Sequence, residues 1–332
     1  MKNICIIGGS GFVGTSLLAR LSLNSHHWKL YNFDKVMSRR YPELTTIADV
    51  RLPEQLGTIP NGSVLINLAA EHRDDVRPTK LYHDVNVQGA INLCELAKQR
   101  GIKKIIFTSS VAVYGFAKRD ADEQSQINPF NEYGKTKYEA EQVLRAWQAE
   151  APSKRTLVII RPTVIFGKNN RGNVYNLLRQ IASGRFVMVG NGKNIKSLAY
   201  VENVAAFIEF SLTSFCPGVH CFNYVDKPDF SMNDLIGNVK RLLGGSTSIR
   251  FRLPFQLGIL IAGLFDLVSR VTGRKFSVST IRIRKFCADS VYSTSIDQTA
   301  FVRPVPLEKA LQLTVRHEFL ESRGSEELYF TE

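Results

Sequence analysis

Tyr133 and Lys137 stand four residues apart in the run Asn131-Glu132-Tyr133-Gly134-Lys135-Thr136-Lys137. On a helix that spacing puts both side chains on one face. A phenol titrates near pH 10 and is a poor base at neutrality, so the chemistry calls for a neighbouring cation to favour the phenolate. Lys137 is the candidate cation. Ser110, in Thr108-Ser109-Ser110-Val111-Ala112-Val113-Tyr114-Gly115, offers a hydroxyl that can hydrogen-bond the same reacting group as Tyr133. Together the three suit acid/base work at a substrate hydroxyl.

The elements that must position this trio begin at the amino terminus. Residues 2–14 read KNICIIGGSGFVG, an apolar run followed by Gly8, Gly11 and Gly14 in GxxGxxG spacing and then by a helical pattern through Leu17, Leu18 and Leu21. Strand, glycine turn and helix in that order form a dinucleotide cradle. The first glycine makes the tight turn, the second admits the pyrophosphate, and the third lets helix and strand pack closely. The helix starting near Phe12 and Val13 points its positive end at phosphate. A second strand at residues 30–33 ends in Asp34, twenty residues past Gly14. A carboxylate there accepts from a ribose 2′-hydroxyl and repels a 2′-phosphate, which favours NAD over NADP, although Arg39 and Arg40 pull the other way.

Further along, Asp49 and Val50 stand where a third strand would end, with Asp49 either reaching the adenine amino group or capping a helix. A fourth strand at residues 63–70 closes in Leu68, Ala69 and Ala70, small enough at its end for backbone to lie against the cofactor. The charged run Glu71-His72-Arg73-Asp74-Asp75 follows, as a substrate contact or as a solvated loop. Asn86, a candidate cofactor contact, opens a helical pattern to residue 98, and a strand at 105–108 leads to Ser110. These alternating elements predict an α/β protein, a Rossmann-type doubly wound parallel sheet with a smaller carboxyl-terminal substrate domain.

The whole chain agrees with that class. Its 332 residues are 44% hydrophobic and 22% charged, ordinary globular composition without repeats. Lys and Arg outnumber Asp and Glu by 43 to 30, a net charge of +13 that suits an anionic partner such as a nucleotide diphosphate or an acidic lipid surface. Nucleic acid is not expected, because the charge is scattered and no recognition motif is present. The five cysteines lack CxxC spacing, so neither a disulfide framework nor a metal site is indicated. Met1 leads directly into the first strand, which predicts no secretory signal and a cytoplasmic protein.

The ordered set Gly8, Gly11, Gly14, Asp34, Ser110, Tyr133 and Lys137, followed by Arg161-Pro162-Thr163-Val164-Ile165-Phe166-Gly167, resembles the extended short-chain dehydrogenase/reductases of the nucleotide-sugar epimerase and dehydratase group. The resemblance covers essentially the full chain. It implies a seven-stranded sheet, bound NAD, Tyr133 as acid/base, Lys137 on the nicotinamide ribose, and Ser110 orienting a sugar hydroxyl. It extends the cofactor contacts to Pro162 and implies a homodimer through the Tyr133 helix and its neighbour. It divides the chain into a dinucleotide domain, residues 1–167 and about 196–225, and a substrate domain, about 168–195 and 226–332. Sugar 4,6-dehydratases carry an Asp-Glu pair directly after the catalytic Ser/Thr; here Val111 and Ala112 stand there and cannot move protons. Epimerisation or one-way reduction at a single carbon remains.

The resemblance also implies substrate contacts at Asn173 and Asn176, whose alternative is helix capping. Lys196 stands where relatives have a diphosphate-binding Arg, keeping the cation but losing the bidentate fork. Residues 255–271 form an apolar stretch, and the thirteen uncharged residues 253–265 are too few for a spanning helix, which needs about 20. It is either a buried helix or an interfacial one, the latter favoured by Arg270, Arg274, Lys275, Arg282, Arg284 and Lys285 close behind it; Arg282 or Arg284 could instead hold a diphosphate. Segment 253–285 is therefore the candidate membrane-proximal part, and the polar end from Ser322 is expected to fray. Phrases such as Ala69-Ala70-Glu71-His72-Arg73 and Asn223-Tyr224-Val225-Asp226-Lys227-Pro228 resemble the branch that converts N-acetylglucosamine to N-acetylgalactosamine on undecaprenyl diphosphate. That branch serves O-antigen and lipopolysaccharide synthesis on the cytoplasmic face of the bacterial inner membrane, its enzymes bound peripherally. A soluble UDP-N-acetylhexosamine 4-epimerase, or a 4-keto-sugar reductase using NAD(P)H, is the alternative, and a catalytically idle scaffold a third.

Overall fold

A computed structural model of the protein describes residues 1–24, 26–73, 76–116, 118–249, 251–272, 279–321 and 327–331. Asp74, Asp75, Arg274, Lys275 and the start of the polar end at Ser322, singled out above, lie outside the described residues.

The chain opens with β1 (Lys2–Ile7), α1 (Phe12–Ser22), β2 (Trp28–Asp34), β3 (Thr45–Ile47) and β4 (Val64–Asn67). A single turn, α2 (Lys80–Tyr82), passes through a π-helical stretch over His83–Gln88 into α3 (Gly89–Gln99). The helix predicted to open at Asn86 therefore starts earlier, and Asn86 lies inside it. Next come β5 (Lys104–Thr108), a 3-10 turn over Val111–Tyr114, α4 (Glu132–Ala149) and β6 (Thr156–Pro162). After β7 (Val164–Phe166), α5 (Asn173–Ala182), β8 (Met188–Val189) and β9 (Ile195–Tyr200), α6 (Val201–Ser211) and β10 (Gly218–Tyr224) return to the large sheet. The remainder is β11 (Asp226–Ser231), α7 (Met232–Leu242), β12 (Arg252–Leu253), α8 (Phe255–Thr272), α9 (Thr280–Cys287) and α10 (Leu307–Phe319).

Seven strands make one parallel sheet in the order β10-β6-β5-β4-β1-β2-β3. Alternation along β1 fills both faces: Ile4 and Ile6 join one buried cluster with α1 and α6, while Cys5 and Ile7 join another with α3 and α4. Covered on both sides, the strands read as continuous apolar runs. The strand order reverses between β1 and β4, the place where such sheets leave a crevice at their carboxyl edge.

A second, three-stranded sheet runs β11-β9-β7. This puts 164–166 and 196–200, expected in the dinucleotide domain, in the smaller sheet. Conversely, Ile296 and Phe301 of the expected substrate domain pack into the large sheet's core. The chain end is also different from expectation. The Tyr329 ring lies tilted against that of Phe12, centroids 5.9 Å apart; its carbonyl accepts from Arg171 N at 2.7 Å and its N–H donates to the Asn169 carbonyl at 2.9 Å. An aromatic anchor thus docks residues 327–331 instead of leaving them frayed.

Helix α8 resolves the question left by its composition. Ala262 is buried, but Leu260, Leu264 and Leu267 are 63, 59 and 58% exposed, so the stretch is not a core helix. It packs instead on α9, where Asp266 accepts from Thr280 N at 3.0 Å. No helix among the described residues is long and apolar enough to cross a membrane.

Candidate active site

All the predicted reacting groups gather at the carboxyl edge of the large sheet. Gly8, directly after β1, has φ +87°, and a Cβ there would stand 2.7 Å from the backbone N of Ala69. A Cβ on Gly14 would meet Gly9 Cα at 2.4 Å, the close helix and strand packing that the third glycine was expected to permit. Gly11 is different, since a Cβ there would make only an ordinary 3.6 Å contact with the protein. It is the N-cap of α1, with no side-chain cap bond and no acidic residue in the first turn. The positive end of α1 is therefore left without a side-chain acceptor, beside a backbone kept bare, which fits the pyrophosphate of NAD. Phe12 and Val13 open that helix as predicted.

Asp34 reaches the same loop. Its Oδ2 accepts from Ser10 N at 2.9 Å and its Oδ1 from Val36 N at 3.0 Å, while burial pushes its pKa up. Two residues missed in the sequence reading build this corner. Asn32 accepts from Gly9 N at 2.9 Å and donates to Ser10 Oγ and Thr45 Oγ1 at 3.0 and 2.9 Å. A Cβ on Gly9 would strike it at 2.3 Å. An amide inside the apolar strand Leu30-Tyr31-Asn32-Phe33 was the available signal.

The other cofactor expectations divide. Leu68 N donates to Ile7 O at 2.8 Å and Ala69 N to Asn67 Oδ1 at 3.1 Å, which holds 68–70 against the glycine turn. Pro162 ends β6 at the same edge, in register with Tyr224. Asp49 caps no helix; Arg51 Nε donates to both its oxygens at 3.0 Å and lowers its pKa. Val50 is buried under Gly89, where a Cβ would come 2.9 Å from Val50 Cγ1, so it is core. Asn86 is likewise structural. Its Oδ1 accepts from Glu71 N at 2.9 Å and its Nδ2 donates to Glu71 O at 3.1 Å and Thr136 Oγ1 at 3.0 Å. These bonds tie the loop after β4 to α4 and occupy the amide expected to touch cofactor. Glu71 itself is buried, with Arg73 Nε 3.1 Å away, which removes it from the solvated-loop reading.

Ser110 and Tyr133 meet, with Lys137 one turn further along α4. Ser110 caps the 3-10 turn, accepting from Ala112 N at 3.1 Å, and its side chain hydrogen-bonds Tyr133. Asn131 caps α4 by accepting from Gly134 N at 2.9 Å, which sets Tyr133 in the first turn. A Cβ on Gly134 would lie 2.4 Å from Ala112 O, so glycine is needed where the two segments cross. The electrostatics differ from expectation. Burial pushes the Tyr133 phenol up to about 12, with Ser110 pulling it back down. Burial lowers Lys137 to about 7, and Glu141 holds it up. The Lys137 ammonium lies 4.2 Å from the Phe107 ring centroid. The pull on the phenol comes from Ser110, in place of the help Lys137 was expected to give the phenolate.

Glu141, four residues after Lys137, belongs to a buried network that sequence reasoning also missed. It takes Arg161 Nε at 2.9 Å and Nη2 at 2.6 Å, and Ser109 Oγ at 2.5 Å. Arg161 Nη1 goes on to Tyr114 OH at 2.7 Å, and Tyr114 donates to Asn223 Oδ1 at 2.8 Å. This locks α4, β6 and the Ser110 turn together.

The expected substrate residues lie apart from the trio's own bonds. Asn173 is exposed at the start of α5 and Asn176 half-buried; Gly172 is the N-cap without a side-chain bond, so neither asparagine caps the helix. Lys196 is spent on structure: its Nζ donates to the carbonyls of Lys285 at 2.8 Å and Ala288 at 2.6 Å. That clasp on the end of α9 replaces the diphosphate role. Arg282 is exposed on α9.

Comparison with known proteins agrees with this geometry. Residues 4–223 match the NAD dependent epimerase/dehydratase family. A relative from Escherichia coli O157:H7, N-acetyl-alpha-D-glucosaminyl-diphospho-ditrans,octacis-undecaprenol 4-epimerase, is 47% identical over 99% of both chains. UDP-glucose 4-epimerase from Vibrio cholerae is 28% identical over 82% of this chain and 86% of its own. Among solved structures, UDP-glucuronic acid 4-epimerase from Bacillus cereus in complex with NAD superposes with TM-score 0.72 at 18% identity, covering 95% of this chain and 96% of that one. With its glycine cradle, its Ser-Tyr-Lys trio and this full-length likeness, the chain belongs to the NAD dependent epimerase/dehydratase family.

Proposed function

We propose that this protein is a 4-epimerase acting on N-acetylglucosamine carried by undecaprenyl diphosphate, giving the N-acetylgalactosamine epimer. Tyr133 takes the proton from the C4 hydroxyl, Ser110 holds that hydroxyl in line, and Lys137 binds the nicotinamide ribose. NAD, held by the glycine turn and Asp34, would supply a hydride acceptor and donor for chemistry at C4. Tyr133 then returns its proton. Val111 and Ala112 supply no carboxylate for moving protons at C5 and C6, in keeping with epimerisation instead of dehydration.

One observation supports the lipid-linked substrate: the match to the Escherichia coli relative, 47% identical, spans 99% of both chains. The exposed leucines of α8 beside basic α9 support it, since a helix with an apolar face and cationic neighbours suits an anionic bilayer surface. On this reading the protein works peripherally on the cytoplasmic face of the inner membrane.

Incubation without added reductant, with undecaprenyl diphosphate N-acetylglucosamine or with UDP-N-acetylglucosamine, tests the substrate. N-acetylgalactosamine is expected from the lipid sample. Product from the UDP sample alone would make this a soluble nucleotide-sugar epimerase. Cosedimentation tests the surface: the protein is expected on anionic vesicles, with Leu260→Asp/Leu264→Asp left in the supernatant. Equal binding of both proteins would remove α8 from membrane contact.

A further inference from the structure

The two segments that carry Ser110 and Tyr133 also carry an exposed aromatic pair. Phe116 and Phe130, 58 and 43% exposed, lie with ring centroids 4.7 Å apart. The two segments are held against each other just before these rings. Asn128 N donates to Val113 O at 3.0 Å, and a Cβ on Gly115 would stand 2.0 Å from Asn128 O. Phe130 comes three residues before Tyr133 and next to Asn131, the N-cap of α4.

A cation sits on the outer side of this pair. The Lys285 ammonium is 4.7 Å from the Phe130 ring centroid. Lys285 lies in the last turn of α9, which Lys196 pins by donating to the Lys285 carbonyl at 2.8 Å. From there α9 leads by way of exposed Ile281 to α8 and its exposed leucines. The pair is thus joined along the chain to the first turn of α4, which carries Tyr133, and through Lys285 to α9 and so to the apolar helix α8.

We propose that Phe116 and Phe130, with Lys285 beside them, form a subsite for the first isoprene units of a polyprenyl diphosphate, the diphosphate lying against the Lys285 ammonium. This rests on the lipid-linked reading above and adds to it the residues that would recognise the carrier. A prenyl chain has methyl branches and double bonds that pack on ring faces, and it arrives already joined to an anion. Both of those needs are met side by side here. Scattered single exposed apolar residues need no explanation, but two rings packed on each other beside a cation of α9 do.

The test uses one head group, N-acetylglucosamine diphosphate, esterified to a ten-carbon prenol or to methanol, with UDP-N-acetylglucosamine as a third substrate. The readout is the ratio of kcat/KM for the prenyl over the methyl carrier, which a merely misfolded variant would leave unchanged. Phe116→Ala/Phe130→Ala is expected to lower that ratio about tenfold, the loss of apolar contact to one or two isoprene units. Phe130→Leu, which keeps the apolar surface, is expected to retain most of it. An unchanged ratio, with the unaltered protein still turning over the prenyl substrate, would overturn the subsite and leave the proposed function standing. A loss confined to UDP-N-acetylglucosamine would also overturn it, assigning the pair to a nucleobase. If the unaltered protein acts on no prenyl carrier, the function reading fails and the subsite with it.

Discussion

Tyr133→Phe is expected to lower kcat by about a thousandfold while the protein still purifies with NAD, because the substitution removes only the hydroxyl that moves the proton. The fold gives no reason for a packing defect. Tyr133 sits in the capped first turn of α4, held by the Asn131 bond to Gly134 N, and its ring is kept in the variant. The phenol is pushed up to about 12 by burial and drawn down by Ser110. Ser110→Ala removes the one side-chain group pulling it down and should cost activity in the same direction, by less. Rapid mixing of Tyr133→Phe with substrate, followed by absorbance of reduced cofactor, checks the assignment: hydride transfer should be absent. Turnover within a few-fold of the unaltered protein would take Tyr133 out of the mechanism.

Glu141→Leu should be the most destabilising single change near the site. Glu141 is fully buried and accepts two bonds from Arg161, itself buried; removing one partner of such a pair leaves an uncompensated charge and costs about 3–5 kcal/mol. In a chain of this size that corresponds to a Tm lower by roughly 5 °C. Adding Arg161→Met should recover much of the loss, since the penalty lies in the orphaned charge. Thermal unfolding of the three proteins decides it, and a Glu141→Leu protein as stable as the parent would contradict the buried pair. Glu141→Gln separates stability from chemistry. Glu141 is the group that keeps Lys137 from falling below about 7, so without its charge Lys137 loses its proton at lower pH. The decline of activity on raising pH should begin earlier in Glu141→Gln. The sign for stability follows too. Between about 7 and the ordinary lysine value of 10.5 the unfolded chain binds more protons at this position than the native one. Stability from Lys137 therefore rises with pH across that window, and Glu141→Gln widens it downward.

What was legible in the sequence was local. GxxGxxG after an apolar run, Asp34 at the end of the next strand, and Tyr133 and Lys137 one helical turn apart all depend on neighbours within a few residues or on a periodicity. The crevice these residues share follows from parallel strand order. The folded chain then decided the residues whose polar atoms are claimed from far away. Lys196 was a sensible diphosphate cation until the Lys285 and Ala288 carbonyls, about 90 positions later, were found on its ammonium. Asn86 was drawn from the cofactor by Glu71 and Thr136, and the electrostatics of Lys137 came to depend on Glu141 and a burial that no spacing reveals. Helix α8 marks the limit most plainly. Its apolar pattern is the same whether it faces a core or a bilayer, because periodicity records which residues avoid water and not what covers them. By itself the sequence determined a cradle, a reacting trio and their order along the chain. Only the tertiary structure decided which polar groups remain available to a ligand, since that depends on hydrogen-bond partners brought together by folding.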